Sequence, residues 1–203
     1  MDDLIRLSVK KASFKYPGGT QSLSNIDLQI RRGEFIGILG ANGSGKTTLL
    51  KVMDGLLKDC EGSVRLDGKE IRELAPKEIY RKVGLVFQNS DEQLFAPTVF
   101  EDVAFGPINM GFSGEEVAFR VTQALKEVDM EGYGKRSIHH LSFGEKKRIC
   151  LAGLLAMGQE ILLLDEPTDG LDPMGEYRMM NLLTRLNKEK KILATRSPML
   201  LGV

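Results

Sequence analysis

The 203 residues carry no net charge: 28 lysines and arginines stand against 28 aspartates and glutamates. Nothing in that balance argues for a nucleic-acid partner, although a local basic patch would be compatible with it. Cysteine is scarce. Cys60 and Cys150 lie far apart and no secretion signal precedes them, so both are expected as reduced thiols. The N-terminal "MDDLIRLSVKKASF" is acidic first and lacks the apolar h-region of a signal peptide. Long apolar runs are missing too: the most apolar stretch, "EILLLDEP", is far too short to span a bilayer. The only histidines, His139 and His140, are expected as loop residues and not as metal ligands. What remains is an ordinary globular composition, 42% hydrophobic. It is enough for one large domain or two small ones with a substantial core, in a cytoplasmic protein.

Apolar periodicity gives a coarse map. "LIRLSV", "ASFKY" and "LSNIDLQI" read as strands. "EFIGILG" is a continuous apolar run ending in glycine, the pattern of a strand buried on both faces. A helix is expected to open near Gly45 and run through "KTTLLKVMDGLL". "GSVRLDG" and "GLVFQ" read as strands, and "PKEIYRKV" as a helix with proline in its first turn. From about Asn89 the texture becomes helical, in "TVFEDVAFGPINMGF", in "SGEEVAFRVTQALKEV" with a capping box of Ser113 and Glu116, and in "LSFGEKKRICLAGLLAM". "EILLL" is a strand, Asp172 to Lys188 a helix and "KILAT" a strand. The fold class is therefore α/β: a phosphate-loop core of mostly parallel strands, an antiparallel β portion, and an inserted helical subdomain at 89–157. The core takes 1–88 and 158–203.

"GANGSGKT", Gly40 to Thr47, matches G-x-x-x-x-G-K-[ST] between a strand and a helix. Such glycines let successive backbone N–H groups point at phosphate oxygens, and the helix N-terminus adds partial positive charge. The expected nucleotide contacts are Gly40, Asn42, Gly43, Ser44, Gly45, Lys46, Thr47 and Thr48. Lys46 reaches the terminal phosphates, and Thr47 ligates magnesium. In "ILLLDEP", Asp165 ends a strand within reach of that magnesium, and Glu166 can activate water. Lys146, Lys147 and Arg148 read as the solvated face of a helix.

"LSFGEKKR", Leu141 to Arg148, followed by "LLLDEP", resembles the signature of the ATP-binding cassette ATPases, usually written LSGGQ. Tyr16 in "FKYPGG" resembles the aromatic that stacks on adenine. Gln88 in "LVFQN" resembles the Q-loop glutamine, which touches magnesium, and "DGLDP" resembles the D-loop, with Asp172 crossing a dimer. "VFQNSDEQLFAPTVFEDVAFGP" is similar to the energy-coupling-factor subgroup, which includes cobalt and nickel importers.

That resemblance implies an ATPase with ATP and Mg²⁺ as cofactors and Glu166, Lys46 and Gln88 as catalytic groups. Ser142, Gly144 and Glu145 would face the nucleotide of a second ATPase subunit. Phe143 stands where the pattern has glycine, a change that would strain the chain if the backbone required positive φ. The partners implied are that second subunit and a transmembrane coupling subunit, with no nucleic acid, at the cytoplasmic face of the cell membrane. Two other readings stay open: a weakly or non-hydrolysing ATP-dependent dimerisation module, and a soluble cassette acting on nucleic acid or ribosomes. Where the family has a switch histidine this sequence has Arg196, followed by Ser197 and Pro198. The chain resembles a cassette cut at that point.

Overall fold

A computed structural model describes residues 5–188, and the strand 192–196 by its backbone. Contacts divide the chain into two units. The first runs from the N-terminal strands to Leu85 and takes in Glu160–Asp165 and the residues from Leu186 on. The second is Val86–Gln159 with Glu166–Arg185. The helical unit thus includes the stretch after Asp165 as well as the segment between the core strands.

One four-stranded sheet belongs to the first unit. Its strands are β1 (Ile5–Lys15), β2 (Gln21–Arg31), β4 (Glu61–Leu66) and β5 (Lys69–Glu70), in the order β2-β1-β4-β5 and antiparallel throughout. "LIRLSV" and "ASFKY" are one strand, not two. The break between them is an irregularity that shifts the register against both neighbours, where Lys11 takes a φ of 49°. The extra residue interrupts the period-2 pattern without ending the pairing.

A second sheet contains β3 (Phe35–Gly37), β6 (Val83–Val86), β7 (Ile161–Asp165) and β8 (Ile192–Arg196), in the order β3-β8-β7-β6. β8 runs parallel to both β3 and β7. Every residue of β7 is buried. Burying one such Leu or Ile side chain contributes about 1.5–3 kcal/mol, so this strand anchors the sheet. β3 departs from expectation. It is an edge strand of three residues, half-buried at Phe35 and Ile36, and Leu39 beyond it is 53% exposed. Its side chains are only half-buried or exposed, so it is not enclosed on both faces.

α1 (Lys46–Met53) follows β3 and packs on β7 and β2. It stops short of "DGLL". Asp54 is its C-cap and Gly55 turns left-handed, so that Leu56 N–H bonds back to the Lys51 carbonyl at 3.0 Å. α2 (Pro76–Tyr80) is also shorter than its sequence pattern, because Val83 already belongs to β6.

In the second unit α3 (Val99–Met110), α4 (Gly114–Glu127) and α5 (Phe143–Met157) pack on one another. The capping box expected at Ser113 and Glu116 is half formed. Ser113 Oγ accepts from the Glu116 N–H at 3.3 Å, but the Glu116 carboxylate turns to Arg120 at 2.9 Å. An i,i+4 ion pair has taken the place of the return bond. Complete boxes form instead at Thr98–Glu101 and Ser142–Glu145. α6 (Pro173–Lys188) starts on Asp172, whose Oδ1 accepts the Gly175 N–H at 2.7 Å. Both cysteines are buried and free.

Candidate functional site

The cradle is built by the first turn of α1. α3, α4 and α5 each cap their first turn with a Ser or Thr oxygen, whereas α1 has no side-chain cap and no acidic residue in its first turn. Its N-cap is Gly45, at φ 89°. A Cβ there would sit 2.2 Å from the Ser22 carbonyl oxygen, so only glycine brings the loop this close to β2. The N–H groups of that turn therefore have no acceptor from a cap. Ser22 and Gly43 to Thr48 line a cleft of about 140 Å³.

Lys46 and Thr48 are buried; Asn42 and Gly43 are exposed. The Lys46 ammonium donates to the carbonyls of Gly40 and Ala41 and to Ser44 Oγ at 3.1 Å. Its charge thus stays on the loop. Thr48 Oγ1 lies 2.7 Å from Ser22 Oγ and 3.2 Å from the Tyr16 hydroxyl. Tyr16, 37% exposed, stacks edge-on against Phe14 with ring centroids 5.0 Å apart, which keeps an aromatic face beside the cradle. The chemistry fits a nucleotide polyphosphate: one cation, a helix N-terminus with no side-chain cap, four hydroxyls lining the cleft, and no carboxylate in the first turn of α1.

Asp165 ends β7 with 4% exposure. Thr47 Oγ1 donates to its Oδ2 at 2.7 Å. A hydroxyl and a carboxylate side by side are hard oxygen donors, the set magnesium takes together with phosphate and water. Among the described residues no cluster of three or more His, Cys, Asp or Glu could hold a metal by protein ligands alone. A Mg²⁺ held here would therefore complete its shell with phosphate and water oxygens.

Glu166, the next residue, lies in the second unit. Its φ is 49°, a left-handed conformation that costs a non-glycine residue about 1–3 kcal/mol. Two groups hold it. Gln88 Nε2 donates to its carboxylate and also to Asp169 Oδ2 at 3.1 Å. Lys147 Nζ donates to its carbonyl oxygen at 2.6 Å. Lys147 is 2% exposed, which corrects the expectation of a solvated basic face across Lys146–Arg148. The helix phase explains it. Position 147 shares a face with Cys150, Leu151 and Leu154, all buried.

Phe143 is the first residue of α5 and has no positive φ, so the strain that glycine would relieve does not arise. Ser142 caps α5, and Glu145 binds back to it: the Glu145 carboxylate accepts the Ser142 N–H at 2.8 Å and the Ser142 hydroxyl at 2.9 Å. Tyr133 Oη adds a bond to Glu145 at 2.9 Å. The Ser142 backbone N–H, opposed by some desolvation and helped by the Ser142 and Tyr133 hydroxyls, holds the Glu145 carboxyl below the usual range. Ser142, Phe143, Gly144 and Asp172, with Arg148 and Arg178, line a groove of about 400 Å³. Sequence reasoning did not find Ser22, Tyr133, Asp169 or the burial of Lys147. The helical phase of α5 carried the signal for Lys147, and Asp169 opens the "DGLDP" segment, while Ser22 and Tyr133 lie in no recognisable pattern. The expectation for Arg196 concerns its side chain, which, like Ser197 and Pro198, lies outside the described residues.

Known proteins resemble this chain in sequence and fold. A protein of Geobacter sulfurreducens, named as an ABC transporter ATP-binding protein, is 65% identical over 188 residues, covering 93% of this chain and 67% of its own. The energy-coupling factor transporter ATP-binding protein EcfA of Methanocaldococcus jannaschii is 49% identical over 185 residues, covering 90% and 66%. The structure of cbiO1 from Clostridium perfringens, described as part of the ABC transporter complex cbiONQ, superposes with a TM-score of 0.85 at 40% identity, covering 96% and 78%. The chain spans about two thirds of the length of these curated relatives. With the profile described as "ABC transporter" matching residues 23–169, the chain belongs to the ABC transporter family of ATPase domains.

Proposed function

We propose that the chain is the ATP-binding and ATP-hydrolysing energy-coupling subunit of a membrane importer, whose cargo is a metal ion such as cobalt or nickel, or a vitamin. The observation that carries the ATPase reading is the Thr47–Asp165 hydrogen bond, which sets a magnesium-type oxygen pair beside an open helix N-terminus. The importer reading rests on the names of the relatives, EcfA and cbiO1.

In this reading the cradle N–H groups and Lys46 bind the phosphates, and Tyr16 offers its ring to the base. Thr47 and Asp165 would hold Mg²⁺, with phosphate and water oxygens as its other ligands. When bound, the ion neutralises charge on the phosphate oxygens. Glu166 takes the proton from the attacking water at its carboxylate, and Gln88 fixes that carboxylate by hydrogen bond. Ser142, Gly144, Glu145 and Asp172 present their groove to a second ATPase subunit.

A transmembrane subunit is the other partner, at the cytoplasmic face of the cell membrane. No helix among the described residues is long and apolar enough to cross a membrane. Phe95 and Phe105, 64% and 51% exposed and stacked edge-on, give the helical unit an apolar surface suited to such a partner. The test pairs two variants. Lys46→Ala is expected to lose tight ATP binding in calorimetry, and Glu166→Gln to keep binding while losing turnover. Unchanged affinity in the first, or wild-type turnover in the second, refutes the reading.

A further inference from the structure

We propose that Lys147 is a positioning residue for Glu166. Its buried ammonium holds the Glu166 carbonyl, and with it the left-handed turn that aims the carboxylate. The inference rests on the reading of Glu166 as the group that activates water.

Lysine is rarely buried without a compelling partner, because an ammonium loses its hydration there. Lys147 is 2% exposed. Its Nζ is 2.6 Å from the Glu166 carbonyl oxygen and 5.0 Å from the centroid of the Phe143 ring. The same carbonyl accepts the Asp169 N–H at 3.1 Å, closing the turn Glu166–Asp169. Both lone pairs of one oxygen are thus engaged, one by the turn itself and one by α5. Glu166 has no glycine's freedom to hold φ 49°, so its conformation is set by what grips its peptide.

Phe143 completes the device. A Cβ on Gly170, at φ 72°, would meet the Phe143 ring at 2.9 Å, so that ring lies flush against the backbone after Glu166–Asp169. The ring faces the ammonium from one side with its negative π surface. The start of α5 therefore touches the Glu166 turn twice, through Lys147 on the carbonyl and through Phe143 on Gly170. Gln88 holds the other end of the residue, the carboxylate. A residue held at its carbonyl by Lys147 and at its carboxylate by Gln88 has little freedom left, and a shift of about 1 Å in such a group can cost 10²-fold in rate.

The test is Lys147→Met, which keeps length and apolar bulk but removes the donor. Turnover is measured against ATP with Glu166→Gln as reference, and amide exchange is followed at Asp169, whose N–H shares the carbonyl. The expected result is a kcat lower by about 10- to 100-fold with KM and nucleotide affinity unchanged, and faster exchange at Asp169. Lys147→Arg, which keeps a cation and donors, recovers part of both. Wild-type kcat and wild-type exchange in Lys147→Met overturn the inference, as does a loss that falls equally on nucleotide affinity. If Lys147→Met does not fold, Phe143→Leu decides: a fall in kcat at constant affinity supports the device, and no change overturns it. A Glu166→Gln variant with full turnover refutes the role of Glu166 in catalysis. The exchange measurement, which needs no turnover, still reports whether Lys147 holds the turn.

Discussion

Thr47 and Asp165 are 118 residues apart in sequence and share one hydrogen bond, from the threonine Oγ1 to the aspartate Oδ2 at 2.7 Å. It ties the second residue of α1 to the last residue of β7. If this pair holds magnesium, Asp165→Asn removes the charged member and keeps the shape. Nucleotide binding without metal then stays as it was, and the gain in affinity on adding Mg²⁺ falls about 10- to 100-fold. A Mg²⁺ titration of nucleotide binding checks this. An unchanged magnesium dependence would place the ion elsewhere.

Gly45 and Gly43 both have positive φ but differ in their surroundings. A Cβ at Gly45 meets Ser22 O at 2.2 Å, while one at Gly43 meets nothing within 4 Å. Gly43→Ala is therefore expected to cost only the backbone term, about 1 kcal/mol. Gly45→Ala should cost more, about 3 kcal/mol or above, and distort the cradle enough to abolish nucleotide binding. Urea melts of the two variants give the ranking directly.

Asp54 is buried at the end of α1, and that burial pushes its carboxyl up to about 7 from an ordinary value of 3.8. The sign follows from linkage. A carboxyl raised in the folded state contributes stability that is fully present below the unfolded value and lost as pH rises through the folded one. Wild type should thus lose ground to Asp54→Asn between about pH 4 and pH 7. The loss is at most about 4 kcal/mol. Denaturation curves for both proteins at pH 4, 6 and 8 test it. Parallel pH profiles would contradict the raised carboxyl.

Tyr133→Phe removes the hydroxyl that donates to Glu145. One such bond to a carboxylate contributes about 1.5 kcal/mol. The Glu145 carboxyl is held low, so this contribution is present above its unfolded range and disappears as pH falls through the folded value. The variant should be less stable than wild type at pH 7 and converge with it in acid. A pH-independent deficit would assign the loss to packing of the ring and not to the hydrogen bond.

The parts of this molecule that were readable in sequence are those where one local rule decides. "GANGSGKT" is constrained by the backbone path it must follow, and "ILLLD" by complete burial. β3 was harder, because "EFIGILG" has the composition of an enclosed strand while its place at the sheet edge is decided by β8, far along the chain. Ser113 and Glu116 have the right spacing for a capping box, but Arg120 competes for the same carboxylate. Lys147 shows a third kind of limit. Its charge argues for water and its helical phase argues for burial, and the Glu166 carbonyl, far away in sequence, helps to resolve the conflict.

The position of β8 also bears on how the chain is made. β3 and β7 are never neighbours; each pairs with β8, which stands between them although it follows both in sequence. On a ribosome that releases the chain from its N-terminus, β7 emerges with the edge meant for β8 still open. β8 must then slide between two strands already in place, a slow, non-local pairing. Until residues 192–196 emerge, that edge is the natural place for a chaperone, or for a neighbouring nascent chain, to take hold.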